Sequence, residues 1–125
     1  MAKLIRPHGS SKLQPRLLEG AERKEEKAKA KTLPKFKMSS RETGDVIMLG
    51  IGGFTPLKGF MGQEDWKGVC KDMKLSNGTF WPIPVTLSVD EDFAKSLKRG
   101  AEIALQSADT NQVIATMKVR EKYTI

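Results

Sequence analysis

Cysteine, histidine and aromatic residues are all scarce in this chain, and each shortage removes a class of function. Cys70 is the only cysteine, so neither an internal disulfide nor a thiolate metal cluster can form within it. Its place on an apolar helical face predicts a buried small hydrophobe without redox or nucleophilic use. His8 is the only histidine, which excludes a histidine pair for metal or triad chemistry; so near a terminus it reads as a cap or surface residue. Long apolar runs are missing too. Nothing approaches the roughly 20 residues that cross a bilayer, and the first ten residues have no signal-peptide core, which predicts no membrane association and a cytoplasmic address.

What is present fits one soluble globular domain of 125 residues, 38% hydrophobic and 30% charged. The net charge of +7 is unevenly placed. Residues 1–40 hold eleven Lys/Arg against four Asp/Glu, whereas residues 41–125 hold eleven of each and sum to zero. The chain therefore divides, as an expectation, into a basic helical arm (1–40) and a compact part (41–125). A basic arm can hold nucleic acid by neutralising phosphates, but the lysine run Lys24 to Lys31 has no aromatic residue interleaved to stack bases. A solvated helix face is the simpler reading, with nucleic-acid contact weak and non-specific.

The stretch Gly50 to Gly62 carries five glycines, with Phe54, Leu57, Phe60 and Met61 between them. Such density marks backbone that takes positive φ or runs close to another segment, and the apolar side chains pin the loop to a core; Pro56 stiffens it. Neither phosphate-binding pattern is met. A P-loop needs Gly-Lys-Ser/Thr at its end, but Gly59 follows Lys58 and precedes Phe60; a dinucleotide fingerprint from Gly50 needs glycine or alanine where Thr55 stands, and no convincing strand feeds it. The loop reads as architecture.

Around it the chain alternates short elements. A helix is expected from near Pro15 to about Lys31, burying Leu17, Leu18, Ala21 and Ala28 and laced by the i,i+4 pairs Glu19–Arg23 and Glu25–Lys29. Leu33-Pro34 ends it, with Phe36 and Met38 anchoring the return. Ser39-Ser40-Arg41-Glu42 is a capping box that opens a short helix through Asp45 to Leu49, although Val46 to Leu49 could equally be a strand. Trp66, Val69, Cys70 and Met73 form a helical stripe, with Lys67, Lys71, Asp72 and Lys74 outward. Asn77-Gly78 makes a turn, and Pro82 and Pro84 imply an extended edge entering a strand over Val85 to Val89. Asp90 caps a helix that carries Phe93, Ala94 and Leu97 inward and that Gly100 closes. Ile103 and Leu105, then Val113, Ala115, Met117 and Val119, alternate as a hairpin around a turn at Ala108 to Gln112.

Taken together, Gly53 to Met61 (Gly-Phe-Thr-Pro-Leu-Lys-Gly-Phe-Met), Asp65-Trp66, Val69, Asp72-Met73-Lys74-Leu75, Asn77-Gly78 and Trp81-Pro82-Ile83-Pro84-Val85 resemble the N-terminal domain of ATP sulfurylase (sulfate adenylyltransferase). The opening, Leu4-Ile5, Pro7-His8-Gly9, Gly20, Glu22 and Arg23, is similar as well. The resemblance covers nearly the whole chain; Gly53 in place of the commoner alanine and the Lys24 to Lys31 run depart from it without touching any chemistry. It implies an α+β fold, a PUA-like mixed β pseudo-barrel with short flanking helices and the N-terminal helical arm. In that family nucleotide and sulfate are held by a later catalytic domain with Q-x-R-N, H-x-x-H and G-R-D stretches, none of which occurs here.

The resemblance therefore implies a catalytically silent N-terminal domain of an enzyme joining ATP and sulfate into adenosine 5′-phosphosulfate and pyrophosphate. MgATP would be a substrate of the parent enzyme, and the partners would be its catalytic domain, in cis or trans, and further copies in a homo-oligomer. No residue qualifies as catalytic, cofactor-binding or metal-ligating. Asp90 and Asp92, and Glu64 and Asp65, sit at helix starts, where the helix dipole explains them. A stand-alone PUA-like RNA-binding module or protein-interaction module is the alternative reading.

Overall fold

The computed structural model describes residues 4–125. In order it forms α1 (Gly20–Ala30), β1 (Lys35–Lys37), α2 (Ser40–Ile51), α3 (Gln63–Asp72), α4 (Glu91–Ser96), β2 (Glu102–Gln106) and β3 (Val113–Lys118). These residues fall into two units: one joins the described residues up to Leu17 with Asp45–Val85, the other joins Leu18–Gly44 with Thr86–Ile125. Residues of the basic stretch thus contribute to both.

In the first unit, no extended strand forms among the described residues; its backbone is held by turns and caps around a side-chain core. Leu49, Leu57, Met61, Val69, Leu75, Trp81 and Val85 are buried together, with Phe54 and Phe60 partly buried against them. α3 ends in a left-handed Met73 (φ 55°), whose N–H bonds Val69 O in the αL cap pattern, while Lys74 N–H reaches Gly68 O. Gly68 is required there, since a Cβ at that position would lie 2.5 Å from the Lys74 carbonyl oxygen. The expected stripe is corrected at two of its four positions. Val69 is buried, Trp66 half-buried, but Met73 leaves the helix and is exposed, and Cys70 is exposed rather than buried.

The second unit is built on a three-stranded sheet in the order β1-β2-β3. β1 pairs parallel to β2 (Phe36 beside Leu105), and β2 pairs antiparallel to β3 (Ile103 beside Met117), with an irregularity at Leu105/Gln106. Ile103, Ala104 and Leu105 are buried, and Phe36 stacks at 5.5 Å on Phe93 of α4. The expected hairpin and its turn are thus present, as is the Asp90 cap, whose Oδ1 accepts from Phe93 N at 2.7 Å. Gly100 does not close α4, which ends at Ser96; it takes φ 92° in the turn into β2 instead.

Three further expectations are corrected. The arm's helix starts at Gly20 rather than near Pro15, because Gln14 N and Arg16 N are committed to Thr55 Oγ1 (3.0 Å) and Gly50 O (2.8 Å). Its proposed apolar face stays in solvent: Leu17, Leu18, Ala21 and Ala28 are exposed, and Ala30 alone of the helix is buried. The strand expected over Val85 to Val89 does not form. Two prolines withhold donors from any ladder, and the remaining groups are met from other elements: Met61 N bonds Val85 O in the first unit, while Arg41 reaches Thr86 O and Glu42 accepts from Ser88 N in the second.

Candidate functional site

The capping box is the most densely bonded polar feature of the second unit. Ser39 Oγ accepts from Glu42 N (3.2 Å) and Glu42 Oε1 accepts from Ser39 N (3.0 Å), as S-x-x-E spacing predicts. The same buried carboxylate accepts from Ser88 N at 2.7 Å through Oε2. Thr43 Oγ1 donates to Ser39 O and accepts from Ala108 N. The helix start thereby organises residues 86–88 and 107–108, and every bond of the Glu42 carboxylate goes to the protein's own backbone or to Arg41. The carboxylate thus ties the start of α2 to two backbone amides, one on each oxygen, and acts as a structural hub.

A groove of about 330 Å³ in the same unit lies between α1 and β3. Lys29 bridges Glu102 (2.7 Å) and Glu26 (2.9 Å), and Glu26 also accepts from the Thr116 hydroxyl at 3.0 Å. Hydrogen bonds from Lys29 and then Thr116 hold the Glu26 carboxyl below its usual range, and those to Glu102 and then Glu26 raise Lys29 above its own. Lys29 therefore pairs with Glu26 and Glu102 rather than with Glu25, as the i,i+4 spacing suggested. Both shifts favour charged forms, so the groove is a solvated ion-pair network and not a proton-transfer pair poised near neutrality.

In the first unit the glycine loop borders a cleft of about 290 Å³ with Lys58, Phe60, Asp65 and Asn77 on its walls. The Asp65 carboxylate is used by Ser76 N (2.8 Å). Of the loop glycines only Gly52 has positive φ (81°), and a Cβ there would meet Leu13 Cγ at 2.9 Å; Gly59 has open space and an ordinary φ. The Thr55–Pro56 peptide is cis. Phe60, expected in the core, is only partly buried. His8 lies at the surface as read, its Nε2 donating to Phe80 O at 2.6 Å and its ring 6.1 Å from that of Trp81. The Trp81 indole N–H is buried without an acceptor among the described residues. No group of three or more His, Cys, Asp or Glu side chains suited to a metal gathers among the described residues.

Sequence reasoning missed the long-range halves of these clusters. The S-x-x-E spacing was visible, but Lys29 was assigned to Glu25 instead of Glu26, and nothing local pointed to Ser88, Ala108, Glu102 or Thr116.

A three-stranded mixed sheet with short helices forms the second unit, and packed loops with α3 form the first. The chain belongs to the PUA-like domain family, whose model matches residues 5–125. Among individual proteins it is 58% identical over 125 residues to a sulfate adenylyltransferase of Thiobacillus denitrificans and 56% identical over 126 residues to one of Syntrophobacter fumaroxidans. The match takes in all of this chain but only about 30% of each relative's length. Among solved structures it resembles a hexameric APS kinase from Thiobacillus denitrificans, with a TM-score of 0.82 and 28% identity over 98% of this chain and 24% of that one.

Proposed function

We propose that this chain is the N-terminal, non-catalytic domain of a sulfate adenylyltransferase, the enzyme that joins ATP and sulfate into adenosine 5′-phosphosulfate and pyrophosphate. The observation that carries the reading is identity of 51–58% spread over 98–100% of this chain while only about 30% of each relative is matched. The glycine loop follows no phosphate-cradle pattern and Asp65 Oδ1 accepts from Ser76 N, which supports placing MgATP elsewhere in the enzyme. Nucleotide and sulfate are therefore assigned to the remaining part of the enzyme, acting in cis or in trans. The same reading gives the protein a cytoplasmic address; no helix among the described residues is long and apolar enough to cross a membrane. A hexameric structural neighbour favours a homo-oligomeric parent. The surplus of seven positive charges in residues 1–40 supports weak, salt-sensitive contact with nucleic acid as a secondary property.

The test is a chimera of the Thiobacillus denitrificans relative in which this chain replaces the matched 30%. Supplied with ATP, sulfate and magnesium, the chimera is expected to release pyrophosphate, whereas this chain alone stays at the level of a heat-killed control. Release by the isolated chain, or a folded chimera without activity, overturns the proposal.

A further inference from the structure

The second half of α2, Val46-Ile47-Met48-Leu49-Gly50-Ile51, is apolar on every side. At about 100° per residue Leu49 faces nearly opposite to Ile47 and Ile51. Leu49 is buried in the core of its unit, yet Ile47 and Ile51 are 53% and 52% exposed. Helices apolar all round are ordinarily buried all round, so this one has an uncovered side.

A strap from the same unit extends that side. Arg16 N bonds Gly50 O, Gln14 N bonds Thr55 Oγ1, and both Gly50 and Gly52 make room for it: Leu17 Cδ2 and Leu13 Cγ lie 3.3 and 2.9 Å from where their Cβ atoms would be. Gly50 sits on the flank of α2 beside Ile47, which sets Leu17 next to the uncovered stripe. The strap is thus fixed by two hydrogen bonds and two glycines, while Leu13 and Leu17 remain 53% and 63% exposed. Ordering a segment costs conformational entropy that its own apolar side chains do not recover here by burial. Scattered exposed apolar residues are ordinary, but a contiguous face held in place by backbone bonds marks an interaction surface.

We propose that Leu13, Leu17, Ile47 and Ile51 form the face on which the remaining part of a sulfate adenylyltransferase polypeptide docks; this rests on the function proposed above. Two observations select this occupant. About 70% of each relative lies outside the part that this chain matches, which supplies a covering body of sufficient size. The rim of the strap carries exposed Lys12 and Arg16 in a chain of net charge +7, so a second copy laid on the same face would oppose like charges. The complementary surface is an apolar patch edged by carboxylates.

The chimera described above provides the test, with amide hydrogen exchange compared between it and the isolated chain. Residues 13–17 and 46–51 are expected to exchange at least about tenfold more slowly in the chimera. Ile47→Asp with Ile51→Asp should abolish that protection in the chimera, while the isolated chain stays folded with only a modestly lowered melting temperature, since both side chains are already half in water. Phe80→Asp with Ile83→Asp, also at exposed apolar positions but outside the face, should leave it intact. An active chimera whose residues 13–17 and 46–51 exchange as in the isolated chain overturns the docking face while sparing the proposed function. An inactive chimera overturns both. Self-association of the isolated chain that the Ile47→Asp/Ile51→Asp variant abolishes assigns the face to a second copy and overturns the proposed occupant.

Discussion

The two units of this chain reach order by different routes. In the unit containing Leu18–Gly44 and Thr86–Ile125, backbone pairing sets the positions: β2 is bonded on both sides, and its three central residues Ile103, Ala104 and Leu105 are buried. In the other unit, the β-type pairing among the described residues is an isolated bridge between Lys74 and Phe80, and packing around Trp81, Val69 and Val85 supplies the rest. A ladder spreads its support over many similar bonds, so the loss of one is shared. A loop core depends on individual side chains and on the glycines that let backbone approach them, so its weak points are few and severe.

Trp81→Ala should show the largest effect, about 3–5 kcal/mol as for a core aromatic, because Phe54 stands edge-on to it at 5.6 Å and His8 lies over it. Urea unfolding gives the magnitude, and native-state hydrogen exchange locates it. Protection should fall within residues 54–85 before it falls in β2 and β3; equal loss in both regions would erase the distinction between them.

Glu42→Ala is next, at about 3 kcal/mol, since it leaves the amides of Ser39 and Ser88 without their carboxylate acceptor. Glu42→Gln keeps an oxygen for one amide and should lose roughly half as much. Equal melts for wild type and Glu42→Ala would show that water replaces the carboxylate freely, and the sheet-bearing unit would then owe little to its polar hub.

The smallest effect sharpens the comparison at the surface. The lowered Glu26 contributes stability above the ordinary carboxylate range and loses it as pH falls through its folded value; the raised Lys29 contributes below the ordinary lysine range and loses it as pH rises through its own. Lys29→Met should therefore lower the melting temperature slightly between those limits, and the difference should vanish at both extremes. Chemical melts across that range check it, and a difference independent of pH would mean that Lys29 acts through its methylene packing alone.

Local chemistry was legible where it was also sufficient. The capping box, the Asp90 cap, the Asn77-Gly78 turn and the β2–β3 hairpin each depend on residues a few positions apart, and each formed as read. The failures share a cause. Pro15 is a good helix opener, but Gln14 and Arg16 bond to the glycine loop some 40 residues away in sequence, and this holds the segment extended. Met73 satisfied the helical period, yet α3 ends at Asp72 and Met73 turns left-handed, while Cys70, still within the helix, faces solvent. Val85 to Val89 has strand composition, but its backbone is met by side chains of α2 and by Met61, which no periodicity reports. Fold class was readable through the ordered motifs of the family resemblance, which span nearly the whole chain. The candidate surfaces were not, because Glu102, Thr116 and the strap against Gly50 enter only through tertiary contact.

β1 is three residues long and contributes Phe36 to the interior between two exposed lysines, Lys35 and Lys37. It also lies at the edge of the sheet, where unpaired backbone groups would otherwise offer a template to any neighbouring strand. Two positive charges on so short an edge mean that a second molecule trying to extend the sheet must bring lysine against lysine across a ladder too brief to hold it. Lys35 and Lys37 thereby guard the shorter of the sheet's two edges against pairing with another strand.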